Sequence, residues 1–303
     1  MLFRSQSFFY WLYENYNSFL SIYQSYKNSK YIINLISLEN DYLFNKWGIK
    51  SILMNNFIPY DYNYVIPSSL TSKTILMIGR GADKNKRFNL GIQAMEFIIR
   101  ENIDRTMIVI SDIDNISPLF DLVNTISLEN NIKFVGYILT PEVFYKNSSL
   151  HIFPTISESF GLVLSETKIY GIPNILVGVD YVSISKGGIS IIYDDTPESI
   201  AKEAIKILNN DQFKKSLGIE SKNSMLKFNN TILIRRWIKI FLSIYNGDNY
   251  YEIIRKENKN IRENAAFNII KNQINLLKLR NKNFQNITFN NILNFSYMEN
   301  FFN

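Results

Sequence analysis

Two carboxylates and a group of cations are the residues of this chain whose types and spacing could do chemistry. Glu158 and Glu166 bracket the stretch Glu-Ser-Phe-Gly-Leu-Val-Leu-Ser-Glu. Their separation is wider than the i,i+4 spacing of helix neighbours, so the two are read as serving separate roles. Carboxylates accept hydroxyl hydrogen bonds, which suits polyols such as ribose and hexose. Each residue also fits a plainer role: Glu158 as a first-turn acid favoured by a helix dipole, Glu166 as an ordinary helix residue. Upstream, Gly79-Arg-Gly-Ala-Asp-Lys-Asn-Lys-Arg-Phe88 gathers Arg80, Lys84, Lys86 and Arg87 around a glycine pair. Such a loop, opening onto a helix, offers a diphosphate fixed charge, bidentate guanidinium bonds and free amides. It also reads as a solvated basic loop, and it matches neither the P-loop pattern nor GxGxxG. There is no Cys and a single His, which excludes disulfides, thiol nucleophiles and His-rich metal sites. A Ser-His-Asp triad would depend on His151 alone, and the apolar run around it marks a packed strand residue.

In open α/β sheets, ligands bind beyond the carboxyl ends of the strands, so the elements that deliver these loops matter. Short apolar runs at 74–78, 107–110, 132–135, 149–153, 174–177 and 189–192 predict strands. Helical patterns at 88–99, 118–126, 141–146, 162–170 and 197–208 alternate with them. The expected class is therefore α/β, a doubly wound, Rossmann-like parallel sheet. The cationic loop follows its first strand and the carboxylate segment its fourth. Upstream, 1–29 is expected to be helical, 31–36 a strand, 39–47 a helix capped by Gly48, 51–54 a strand and 55–72 a linker. Downstream the pattern is helical at 212–217, 232–245 and 263–280. The last carries Phe267, Ile270, Ile274 and Leu277 as a stripe that needs a partner surface. The expected organisation is an N-terminal segment with linker over 1–66, a ligand-binding domain over 67–246 and a basic helical extension over 247–303.

Composition sets outer bounds. At 303 residues, 46% hydrophobic, with 12 Gly and 7 Pro, the chain is neither disordered nor fibrous. The formal charge of +6 suits an anionic substrate or a membrane surface. Residues 251–303 carry eight Lys/Arg against four Asp/Glu, so the surplus is concentrated there. No nucleic-acid recognition motif accompanies it, and no nucleic-acid partner is expected. Asn is about one residue in eight, a drift spread along most of the chain that lowers the weight of the 19 Tyr and 22 Phe as stacking platforms. The drift nearly stops between 148 and 208. No run of roughly 20 uninterrupted apolar residues and no cleavable leader pattern is found. The expected location is cytoplasmic, with room for peripheral membrane contact.

The segment from Glu158 to Glu166, followed by Tyr-Gly-Ile-Pro173 and preceded by Phe153-Pro-Thr155, resembles the E-x7-E segment of retaining glycosyltransferases of family 4. Gly79-Arg80 with Lys86 is similar to that family's diphosphate clamp, and Phe134-Val-Gly-Tyr137 resembles its strand beside the nucleobase. The resemblance covers about 70–245 and implies the nucleotide-sugar-binding C-terminal domain of a GT-B enzyme. It implies that Arg80 and Lys86 hold the donor diphosphate and stabilise the leaving nucleotide, and that Glu158 binds donor-sugar hydroxyls. Glu166 would bind the ribose and Ile138 would lie by the base. Gly79 and Phe160 belong to the same donor-binding set, and the amides of Gly161, Leu162 and Val163 would line sugar and phosphates. Glu158 joins Arg80 and Lys86 as the catalytic group. No cofactor and no metal is implied beyond the nucleotide-sugar donor; catalysis would rest on positioning and electrostatics.

The resemblance also has departures. Only 1–66 precedes the linker where a GT-B enzyme has a full N-terminal domain, and the glycine-rich first loop and the donor-side His of that domain have no match. The expectation is a hexosyltransferase-type enzyme, retaining, acting on an unknown glycan or lipid-linked acceptor, and incomplete without an N-terminal domain, either encoded separately and supplied in trans or belonging to an originally longer chain. The alternative is a non-catalytic nucleotide-sugar-binding module or a decayed remnant.

Overall fold

The computed structural model describes residues 24–35, 40, 43, 48–101, 103–112, 114, 116–156, 158–179 and 184–247, with the backbone of 2–4. By packing, the chain divides into two compact units, one built from Phe57–Asp180 and Ile184–Asn230 and the other from Met1–Asn56, Tyr181–Ser183 and Thr231–Asn303.

The larger unit holds a six-stranded sheet in the order β6-β5-β4-β7-β8-β9. Its strands are β4 (Thr74–Ile78), β5 (Thr106–Ile110), β6 (Ile132–Val135), β7 (Leu150–Phe153), β8 (Asn174–Val177) and β9 (Ile189–Ile192). Every pairing is parallel, as expected when each strand feeds a helix that must cross back. The helices are α1 (Phe88–Arg100), α2 (Ser117–Thr125), α3 (Glu142–Lys146), α4 (Leu162–Ile169), α5 (Pro197–Leu208) and α6 (Asp211–Ser224). Alternation along the strands sorts them onto two faces. Ile75, Met77, Leu150, Ile152, Ile175 and Val177 share one core with α1, α2 and α5. On the other face, His151 and Asn174 meet Thr167 of α4. The doubly wound α/β class is thus the observed one.

Local sequence explains most boundaries. Pro197 opens α5 behind Thr196, whose hydroxyl accepts from Ser199 N at 3.2 Å, an N-cap with proline in the first turn. Asn210 Oδ1 caps α6 by accepting from Phe213 N at 2.9 Å. The sequence pattern stops this helix at 217, but it runs on to Ser224 through Gly218. The glycine is kept for closeness: a Cβ there would stand 2.6 Å from Gly171 O and 2.7 Å from Leu70 Cδ1. Tertiary contact overrides helix propensity at that point.

Two upstream expectations change. Residues 57–72 form no loose linker. Ser68 Oγ donates to Ser148 O at 2.7 Å, Leu70 is buried, and Asn230 brackets Ile58, accepting from its N at 3.2 Å and donating to its O at 2.8 Å. The larger unit therefore begins at Phe57 and closes at Asn230, inside the expected limits of 67 and 246 at one end and outside them at the other. In the smaller unit, Leu2–Arg4 is a strand and not helix (β1). It pairs in parallel with β2 (Tyr31–Asn34), which pairs with β3 (Ile52–Leu53). Helix α7 (Asn230–Tyr245) lays Leu233 and Ile240 on Ile33, Ile52 and Met54. Among the described residues no helix is long and apolar enough to cross a membrane. The helix expected at 263–280 and its stripe lie outside the described residues, as does most of the one expected at 39–47.

Replacing Gly218 with alanine tests the close approach. At an exposed helix site the change would stabilise by about 1 kcal/mol. Here the backbone clash reverses the sign, with an expected loss of about 2 kcal/mol, read as a lower urea midpoint; a stabilised variant would refute the packing reason.

Candidate functional site

Strand order reverses between β4 and β7, the topological switch point where crossovers diverge and leave a crevice at the carboxyl ends. Both chemically suggestive segments end there. Gly79 N donates to Ile110 O at 3.0 Å as β4 finishes. The loop then turns sharply inward, with Gly81 N donating to Ser111 Oγ at 2.6 Å. A Cβ on Gly81 would lie 2.7 Å from that oxygen and 2.9 Å from Ile116 Cγ2, so only glycine fits. Asp83 accepts from Asn85 N at 3.0 Å and starts the 3-10 turn Lys84–Lys86.

Residues 85–87 then bind one after another to the segment following β7. Asn85 O accepts from Ile156 N at 2.8 Å and from Thr155 Oγ1 at 3.1 Å. Lys86 Nζ donates to Glu158 Oε2 at 2.8 Å, with both side chains about four-fifths buried. Arg87 Nε donates to Pro154 O at 2.7 Å, and its guanidinium pairs with Asp195. Arg87, counted among the cations of the loop, thus serves as a clasp with its charge already matched. Lys84 is exposed, and Arg80 is exposed beside Asp83 at 3.0 Å.

Beyond Glu158 the chain enters α4 through Gly161, whose φ of 79° is left-handed. A cavity of about 400 Å³ opens over the strand ends. Its wall includes Gly79, Arg80, Ile138, Val163, Glu166 and Tyr60. Lys86 and Glu158 are not part of this lining; Lys86 adjoins it, its Cδ 3.9 Å from where a Cβ of Gly79 would sit. Leu162 is exposed at the start of α4. Phe160, expected in the donor-binding set, has its ring buried against Phe228 at 5.7 Å and is not part of the cavity wall. The aromatic side chain is needed to anchor the loop.

Glu166 accepts a hydrogen bond from the buried Tyr145 hydroxyl, and burial raises its carboxyl above the usual range. Tyr145 packs with Tyr60 and Tyr170 at centroid distances of 6.2 and 5.1 Å. The sequence pattern passed over this tyrosine group; its aromatic residues were lost in a composition rich in them. His151 is fully buried with its Nδ1 2.7 Å from Asn174 Oδ1, and burial pulls its pKa down to about 4, so the ring is neutral. Among the described residues no group of three His, Asp or Glu could hold a metal ion.

One turn-mate of Glu166 was also missed. Lys168 is wholly buried on α4 and donates to the carbonyls of Ile184 and Lys186, stapling the segment before β9. Burial, with a smaller push from Lys227, lowers its pKa from 10.5 to about 7. Between these two values the unfolded chain holds a proton that the folded chain has released, so stability rises with pH across that window. Below about 7 the folded state carries the full cost of the buried charge. The melting temperature of the wild type minus that of Lys168→Met should therefore rise from pH 7 to pH 9; a flat difference would contradict the buried amine.

Comparison with known proteins gives the chain relatives and a family. The chain is 23% identical over 140 residues to the capsular polysaccharide biosynthesis glycosyltransferase CapM of Staphylococcus aureus, covering 45% of this chain and 37% of that one. It is 24% identical over 182 residues to the N-acetyl-alpha-D-glucosaminyl L-malate synthase of Bacillus anthracis, covering 58% and 47%. The chain thus spans less than half the length of these relatives. Among solved structures, S. aureus TarM in complex with fondaparinux, alpha-GlcNAc-glycerol and UDP superposes with a TM-score of 0.69 at 17% identity, over 79% of this chain and 50% of TarM. Anabaena HepE in complex with UDP and glucose gives 0.68 at 13%, over 80% and 71%. These likenesses place the fold among the GT-B glycosyltransferases. A family model for glycosyl transferases group 1 matches residues 65–224, which hold the cationic loop, the Glu158–Glu166 segment and the cavity wall from Ile78 to Glu166. With just over half of its length matched, the chain belongs to the glycosyl transferases group 1 family.

Proposed function

We propose that this chain binds a nucleotide-diphosphate sugar at the switch-point crevice and serves a retaining glycosyl transfer of the family 4 type, moving a hexose to a glycan or lipid-linked acceptor. The observation that carries the proposal is the seam between the two loops. It brings Lys86 and Glu158 to 2.8 Å of each other beside a cavity walled by Gly79, Arg80, Ile138 and Glu166. CapM is described as a glycosyltransferase, and the TarM and HepE structures hold UDP, which supports the same ligand class here.

Each group has a task in that mechanism. The nucleoside enters the cavity, with Ile138 by the base and Glu166 accepting from ribose hydroxyls. Arg80 and Lys86 offset the charge that grows on the diphosphate as the sugar departs, and the first amides of α4, at Leu162 and Val163, add fixed dipoles. Glu158 accepts from hydroxyls of the sugar. Before ligand arrives, Lys86 and Glu158 neutralise each other. Binding replaces one half of that pair with phosphate and frees the carboxylate for the sugar, so the desolvation of neither charge is left uncompensated.

Calorimetric titration with UDP, GDP and their glucose conjugates tests this. Arg80→Ala and Lys86→Ala should each weaken diphosphate binding about tenfold, the loss of one charge-assisted contact; the melting temperature should hold for the exposed Arg80 and fall for Lys86, whose loss leaves Glu158 unpaired. Glu166→Gln should weaken nucleotide and nucleotide sugar alike, whereas Glu158→Gln should weaken only the sugar conjugates. A wild type that binds none of them would end the proposal; equal losses for free nucleotide in both Glu variants would end the division of roles. Transfer is read separately, as release of nucleoside diphosphate with a lipid-linked or glycan acceptor present, with the anomeric outcome fixed by NMR.

A further inference from the structure

We infer that Tyr145 is a positioning residue for Glu166: its buried hydroxyl holds one carboxylate oxygen so that the other faces the cavity and reads the paired hydroxyls of a ribose. This rests on the nucleotide-binding reading above and adds a residue that neither motif segment contains.

The geometry is specific. Glu166 is part of the cavity wall and Tyr145 is not. Tyr145 has no exposed surface, sits on the short helix α3, and donates to Glu166 Oε2. Its ring cannot swing away, because Tyr60 meets it edge-on at 6.2 Å and Tyr170 lies tilted at 5.1 Å. Those two also touch each other at 5.3 Å. A glutamate has three rotatable torsions, and on a cavity wall it would otherwise sample several of them. One fixed donor selects the conformer and leaves the second oxygen, with two lone pairs, as the acceptor on offer. A vicinal diol supplies two O–H donors to such an acceptor. A deoxyribose lacks one of them and leaves a partly desolvated carboxylate short of a bond, which is how a polar site rejects an analogue missing a hydroxyl.

The surroundings keep Tyr145 a donor. Burial and the nearby Glu166 charge push its ionisation far upward. The groups facing Glu166 are Tyr145 and Glu142 from α3, with Tyr60 and Tyr170 beside them. Arg80 and Asp112 lie on the same cavity wall. Burial and Glu142 raise the Glu166 carboxyl and the Tyr145 hydrogen bond lowers it. Removing the phenol therefore moves protonation of Glu166 to higher pH.

The experiment titrates the full chain with UDP, dUDP, GDP and dGDP across pH 5 to 8, in the wild type, Y145F, E166A and the double variant. The wild type should prefer the ribonucleotide. Y145F should lose roughly five- to tenfold for ribonucleotides and less than about twofold for the deoxy forms, so the ribo-to-deoxy ratio falls toward one. The pH at which binding is lost should rise. In the E166A background, Y145F should add nothing. Y145H, which keeps a ring and a donor, should retain part of the ratio and gives a second reading if Y145F folds poorly. An unchanged ratio with an unmoved pH midpoint, or an added loss in the E166A background, would overturn the positioning role while nucleotide binding stands. A wild type that binds none of the four would instead remove the nucleotide reading and this inference with it.

Discussion

Three consecutive residues hold the site together. Asn85, Lys86 and Arg87 each reach across the crevice to the segment 154–158, through a carbonyl, an ammonium and a guanidinium in turn. Parallel strands β4 and β7 bring their carboxyl ends side by side but leave the loops beyond them unpaired. The backbone groups there must find partners or stay in water. Here each loop supplies the other's partners, and a third element is drawn in through Arg87 and Asp195. The left-handed Arg87, at φ 47°, is the conformational cost of turning that corner with a side chain still able to reach.

The seam decides which cations are available. A count of positive residues in the 79–88 loop suggests a uniformly basic surface, whereas the structure shows three distinct states. Arg87 is committed to a carboxylate and a carbonyl, Lys86 to a carboxylate that itself belongs to the site, and Arg80 only to a neighbour three residues on, in solvent. Exposed pairs of that last kind are weakly held, while the largely buried Lys86 pair has a real exchange to make. Electrostatic character here is a property of pairing and burial, and loop composition alone does not convey it.

The sheet was legible because its strands are short β-branched runs and its helices are periodic: the limits of β4, β6, β8, β9 and α5 follow directly from pattern. The two loops were legible as well, since Gly79, Arg80, Lys86, Glu158 and Glu166 combine residue types that a core has no use for. What escaped depends on contact across the sequence. Gly218 looks like a helix stop until Gly171 is seen against it. Residues 57–72 look like a linker because their anchors, Ser148 and Asn230, lie far along the chain. Phe160 belongs to a site motif yet spends its ring on packing. Tyr145 and Lys168 carry no local signal, because a buried hydroxyl and a buried amine are marked only by what surrounds them.

Asn230 has a consequence for the larger unit as an object. Its one side-chain amide takes both the N–H and the C=O of Ile58, as a neighbouring β-strand would. Ile58 is the second residue of the unit and Asn230 its last, so the bond joins its entrance to its exit. The two ends of the unit are therefore tied side by side by one residue. With its ends adjoining, the order of the strands in space does not depend on where along the sequence the chain is opened.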